Sequence, residues 1–155
     1  MRPQPASERL AALGLVLPDV PAPAGAYVAA VRYGDIVITT GQLPFVDGRL
    51  PLTGLVGVDL DIAAAAGAAR QAGLNAIAAA AGVLGGVDNI ARVLSVTGHI
   101  AGGPDFIEHP AVLDGASKLM VEIFGEAGRH VRTNVGAPRL PLNSPVEVGI
   151  VVAAR

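Results

Sequence analysis

Two residues in the last quarter of the chain have the types and spacing for small-molecule chemistry. Arg132 and Glu147 stand 15 residues apart, in the strand-like runs Val131 to Val135 and Val146 to Ala153, joined by the proline-punctuated loop GAPRLPLNSP. Arginine offers a planar fork of donors that matches a carboxylate two bonds at a time. Glutamate can hold or activate a water. If the two runs pair, one guanidinium and one carboxylate can face the same cleft, and the ligand expected there is a small carboxylate-bearing molecule. Thr133 and Asn134 flank the arginine. The plainer alternatives are a surface or interface salt bridge for Arg132 and an exposed strand position for Glu147. Strand alternation sets Glu147, Gly149 and Val151 on one face and Val146, Val148 and Ile150 on the other.

Three further positions can wall such a cleft. Tyr27 follows Ala24-Gly25-Ala26 and opens the first strand-like run, where its ring can line a pocket and its hydroxyl donate, or can be core. Thr40-Gly41 ends the second run, and a glycine there lets a bound group approach the backbone and meet an N–H. His99, His109 and His130 have no metal-ligand spacing, and no cysteine is present to complete a zinc site. A surface position suits His130. Asp88-Asn89 reads as a turn.

The elements that must position these residues are legible from pattern. Ser7 to Leu13 reads as a short helix with Ser7 as N-cap and Gly14 as stop. Pro18, Pro21 and Pro23 then hold an extended linker, so residues 1–24 form an arm and residues 25–155 the domain. Tyr27 to Arg32 and Ile36 to Thr40 form a hairpin across Tyr33-Gly34-Asp35. Asp47-Gly48 is a second turn. Asp59 or Asp61 opens a long helix with the stripe Ile62, Ala66, Ala69, Gly73, Ala76, Ile77 and Ala80, ended by Gly82 or Gly85-Gly86. Ile90 to Ile100 is a strand, and Ala111 to Phe124 a helix with Val112, Ala116, Leu119, Met120 and Ile123 inward. The order is β-β-α-β-α-β-β, with a further short strand expected around Leu55-Val56. It predicts one sheet with two helices on a single face.

Composition narrows the partners. The chain has 155 residues, 52% hydrophobic and 15% charged, and a net charge of -2. That length suits one domain, and the apolar content favours self-association over an exposed sheet face. A single lysine and no basic block argue against nucleic acid. The alanine-rich run from Ala63 to Leu84 carries Arg70, Gln71 and Asn75, which argues against a membrane span. A cytoplasmic protein is the expectation.

The stretches GAYVAAVRYGDIVITTGQLP, ARQAGLNAIAAAAG and VRTNVGAPRLPLNSPVEV together resemble the RidA (YjgF-like) family over about residues 25 to 154. The resemblance implies a chorismate-mutase-like fold and a homotrimer with clefts between subunits. It also implies cofactor-free hydrolysis of enamines and imines to ketoacids and ammonia. Some relatives carry the older labels endoribonuclease or translation inhibitor. By matching position, Arg132 would clamp the substrate carboxylate and Glu147 would position the water. Tyr27, Thr40 and Gly41 would line the cleft, and Asn134 would stand where a family cysteine often sits. Asp114-Gly115 occupies the region of a family asparagine, and an aspartate there disfavours an anionic ligand. Segment 102–116 and the long arm depart from the pattern. Three functions stay open: an imine deaminase, a carboxylic-acid-binding protein without turnover, and a structural or chaperone-like trimer.

Overall fold

The computed structural model describes residues 3–20, 22–23 and 25–155. Eight elements organise them: α1 (Ala6–Ala12), β1 (Ala30–Tyr33), β2 (Ile36–Thr39), α2 (Ile62–Leu84), β3 (Ile90–Ala101), α3 (His109–Phe124), β4 (Val131–Ala137) and β5 (Val146–Ala154). The strands form one sheet in the order β1-β2-β5-β3-β4, with only β3 and β4 parallel. This is the expected α+β sheet, with α2 and α3 packed on one face. The chain's last strand lies in the middle, so Glu147 sits near the start of the central strand.

The helices form where caps and small residues let them. Asp61 caps α2, its Oδ1 accepting from the Ala64 N–H at 2.7 Å. Gly85, at φ 78°, ends it in the left-handed conformation. From Ala72 to Ala81 every residue of α2 is buried, a wider face than the expected stripe. The alanines allow α3 to approach closely. A Cβ on Gly73 would stand 3.2 Å from that of Ala116, and one on Gly115 would overlap the Ala66 carbonyl oxygen. The core joins Ile77, Val93, Val96, Leu119, Met120, Ile123, Val148 and Ile150.

The opposite face of the sheet is open. Val31, Ile38, Tyr33 and Val131 are each more than half exposed there. At the N-terminus, Pro5 and not Ser7 is the N-cap of α1. Ser7 lies inside the first turn, where its N–H and hydroxyl donate to Asp88 Oδ1 at 2.9 Å and Oδ2 at 2.6 Å. A carboxylate 81 residues away thus caps this helix from outside. Of the linker prolines, Pro18 and Pro23 are described; Pro21 lies outside the described residues, as does Ala24.

Candidate functional site

The centre of the site is a fault in the ladder between β2 and β5. Ile38 pairs with Val151, but Gln42 pairs with Val148. Four steps on one strand therefore face three on the other, which is a β-bulge. Within it, Ile150 donates its N–H to the Thr39 side chain at 3.0 Å instead of to a carbonyl. Thr40 spends its own N–H on the Ala29 carbonyl at 2.8 Å. Among the described residues no acceptor meets the Gly41 N–H. So of the expected pair, Gly41 carries the available backbone donor and Thr40 contributes its side chain.

Glu147 lies over this bulge. A Cβ at position 41 would overlap its carboxylate, so glycine is what lets the carboxylate rest on the backbone. Strand alternation acts as expected: Val146, Val148 and Ile150 are buried in the core, while Glu147 and Gly149 face the open side. Its cross-strand neighbour is His99 on β3. A cavity of about 270 Å³ gathers Glu147, Thr40, Gly41 and Tyr27 with Phe45 and Leu142. Tyr27 is not in a strand. It sits in a bend in which its N–H donates to the Gly25 carbonyl at 2.9 Å, and pairing with β2 begins only at Ala30.

The loops that complete the cavity are held from below. Asn75 on α2, buried, donates from Nδ2 to the carbonyls of Leu43 and Phe45 at 2.9 and 3.1 Å. This positioning residue escaped sequence reasoning, although a lone asparagine within a buried alanine helix was the available signal. On the far wall Leu142 and Asn143 take φ 57° and 59°. Buried Ser144 donates to the Val146 carbonyl at 2.8 Å and fixes the entry into β5.

Arg132 is elsewhere. It pairs with Val96, and Glu147 with His99, so the two are separated by two strand spacings and three residues along the sheet. At about 4.8 Å per strand and 3.3 Å per residue, that is roughly 14 Å between backbones. More decisively, Arg132 and Asn134 stand opposite core residues Val96 and Gly98, on the helix face, while Glu147 is on the open face. Within one chain the two residues do not share a cleft, which corrects the expectation from simple pairing of the two runs. The reason is topological: β3 lies between them, and the parallel register of β4 turns Arg132 towards α3.

On that face Arg132 is part of a network. Its Nη1 donates to Asp114 Oδ1 at 2.7 Å and to Ser117 Oγ at 3.2 Å, and its Nη2 donates to the Pro110 carbonyl at 3.3 Å. Nε and one Nη2 hydrogen keep no acceptor among the described residues. Asn134 Oδ1 is buried and has no hydrogen-bond partner. His130 is half-buried, not a free surface side chain. Its Nδ1 lies 2.6 Å from the Gly128 carbonyl, which that nitrogen's proton bridges, leaving Nε2 to accept from the Ser117 hydroxyl at 2.9 Å. No group of three or more metal-ligating side chains occurs among the described residues, and no helix among them is long and apolar enough to cross a membrane.

A single five-stranded sheet carrying two helices on one face is the architecture of the chorismate-mutase-like class of α+β proteins. A family model described as "YjgF/chorismate_mutase-like, putative endoribonuclease" matches residues 7–153, and the chain belongs to that family. The match begins inside α1, so it takes in most of the arm. Protein TCP17 of Trypanosoma cruzi is 38% identical over 152 residues, covering 95% of each chain. A crystal structure of a "putative endoribonuclease" from Shewanella oneidensis is 39% identical with a TM-score of 0.93, covering 97% of this chain and 99% of the other. The fold alone extends to TdcF of E. coli with bound serine, 24% identical with a TM-score of 0.61, covering 88% and 93%.

Proposed function

We propose that this protein hydrolyses imines or enamines of 2-oxo acids, in a site built where copies of the chain meet. The observation that carries the reading is the division of its polar groups. Glu147, Thr40, Gly41 and Tyr27 share one cavity, while Arg132 and the unpartnered Asn134 oxygen lie on the other face, beside the sheet's edge strand. A substrate a few atoms long meets both sets only if Arg132 comes from a neighbouring copy. The exposed valines and isoleucines of the open face supply a reason to associate, and a closed ring such as a trimer satisfies a head-to-tail contact. The fold relative TdcF was solved with bound serine, a molecule of the expected size.

The chemistry needs little from the protein. The side edge of the Arg132 guanidinium takes the substrate carboxylate through Nε and Nη2. Glu147 accepts a proton from a water held beside it, and that water's oxygen adds to the imine carbon while the nitrogen gains a proton. The resulting carbinolamine expels ammonia and leaves the 2-oxo acid. The Gly41 N–H, which meets no acceptor among the described residues, is a fixed donor available to the reacting group. Water addition to a C=N bond asks for no cofactor. A cytoplasmic setting, where such imines arise, belongs to the same reading. RNA cleavage suits the chain less, because one lysine and a net charge of -2 give no footprint for phosphates.

The test is release of ammonia or 2-oxo acid from imines generated in place by an amino-acid oxidase. Equal rates for the wild type and Arg132→Ala would end this reading. A second reading is favoured by the Asp114–Arg132 contact, which already engages Nη1. In it the cleft binds 2-oxo acids without turning over their imines. Calorimetric binding with no accelerated imine loss distinguishes it.

A further inference from the structure

The cavity that holds Glu147 is polar on one wall and apolar on the others. Glu147, Thr40 and the Gly41 backbone make the polar wall. Pro23, Tyr27, Leu43, Phe45, Pro141 and Leu142 make most of the rest, with two alanines and one amide, that of Gln42. Its volume of about 270 Å³ equals roughly nine water volumes at about 30 Å³ each. Arg132, the group for the carboxylate, is not among its lining residues. The cavity is therefore free for the reacting carbon and whatever that carbon carries. A one- or two-atom side chain would leave most of the apolar wall wet. Away from the Tyr27 hydroxyl and the Gln42 amide, a hydroxyl or charge reaching that wall would meet only carbon and would lose its hydration.

We infer that this site selects 2-oxo acid imines with an apolar side chain of about four to seven heavy atoms, such as those from leucine or phenylalanine, over those from alanine or serine. The inference rests on the proposed function and names its substrate class. The seat is formed by the loop after the bulge, through Phe45, and by the turn before β5, through Leu142. The arm closes it through Pro23. The loop after the bulge and the turn before β5 are independently anchored. Asn75 fixes the carbonyls of Leu43 and Phe45, and the Asn143 carbonyl accepts from the Gly54 N–H at 2.8 Å. The seat is thus a standing feature of the fold and not a chance gap. Its discrimination comes from buried apolar contact, worth about 10- to 200-fold for differences of this kind.

The experiment compares kcat/KM of the full-length protein on imines made in place from L-leucine, L-phenylalanine, L-alanine and L-serine. Calorimetry with 4-methyl-2-oxopentanoate and pyruvate runs beside it. Leu142→Asn is the variant, because Leu142 is 68% exposed and asparagine accepts its left-handed backbone. The expected result is a preference of about tenfold or more for the leucine imine over the alanine imine, with that ratio falling severalfold in Leu142→Asn. Equal kcat/KM on all four imines overturns the inference and leaves the proposed hydrolysis standing. If no imine is turned over, the hydrolysis falls and calorimetry decides the seat. Tighter binding of 4-methyl-2-oxopentanoate than of pyruvate then upholds it, and equal or absent binding overturns it.

Discussion

Replacing Gly41 with alanine separates the position of the Glu147 carboxylate from the stability of the fold. An ideal Cβ there would stand 2.7 Å from both Glu147 Cδ and Cγ and would overlap its Oε1. Real Cβ atoms do not come so close, so something must move. Gly41 does not require a left-handed backbone, since its φ lies outside the positive range. The neighbour that must yield is the far end of a half-buried, flexible side chain and not backbone. Pushing Glu147 into another rotamer costs about 0.5–1.5 kcal/mol. For a chain of this size that lowers Tm by only about 2–6 °C. The carboxylate, however, moves by more than a bond length from the cavity wall. A misplacement of about 1 Å costs on the order of 100-fold in rate. Gly41→Ala is therefore expected to fold, melt within a few degrees of wild type, and hydrolyse imines about 100-fold more slowly, close to Glu147→Gln. The assay is imine loss in the presence of an amino-acid oxidase, alongside a thermal melt. Wild-type turnover by Gly41→Ala would refute the claim that glycine is there to seat this carboxylate.

Three other perturbations probe separate parts of the structure. Asp114→Asn removes the negative charge on Arg132 Nη1; because the pair is partly exposed, stability should change by less than about 1 kcal/mol, while calorimetry should show 2-oxo acids binding severalfold more tightly. Gly115→Ala places a methyl into the Ala66 carbonyl oxygen, where backbone must give way, so an overpacking cost of about 1–3 kcal/mol should lower Tm by several degrees; an unchanged melt would contradict the close approach of α2 and α3. Asp88 is held below the ordinary aspartate range, first by the hydrogen bond from the Ser7 hydroxyl, then by that from the Ser7 N–H, with help from the Arg155 charge. A depressed folded value means its contribution is complete above the unfolded pKa of about 3.9 and is lost as pH falls through the folded one. Hydrogen exchange in α1 should accordingly quicken relative to the rest of the chain only below about pH 4, and Asp88→Asn should remove that pH dependence.

Much of the fold is written locally and could be read from the chain. The helix cap, which pattern leaves to Asp59 or Asp61 and the structure gives to Asp61, the stop at Gly85, one of the glycines that pattern offers, and the alternation along β5 each act within a few residues; the first strand is less local, starting at Ala30 and not at Tyr27. Alternation likewise separates Glu147 and Gly149 from Val146, Val148 and Ile150, as the strand shows. What pattern could not supply is relative placement. The face that Arg132 takes depends on the parallel register of β3 and β4, set by the whole α3 crossover. The bulge at Thr39 to Gly41 depends on a one-residue mismatch with a strand more than a hundred positions later. Ser7 leaves its expected capping role for Asp88, and His130 adds Ser117 to its local bond with Gly128, because tertiary packing brings each a partner that its neighbours in sequence do not supply. Arg132 and Glu147 therefore stand out in the sequence as residue types, while their division between opposite faces of the sheet needs the structure.

That division gives the central claim its most direct test. Arg132→Ala and Glu147→Gln should each keep about a hundredth of wild-type activity or less alone, since each lacks one end of every site. When the two variants are unfolded together, refolded as a mixture and assayed for imine hydrolysis, a site shared between copies predicts recovery. In equal mixture a site takes its arginine from one variant and its glutamate from the other by chance, giving about a quarter of wild-type activity. A mixture as inactive as its components would contradict a site formed between copies, and with it the proposed role of Arg132.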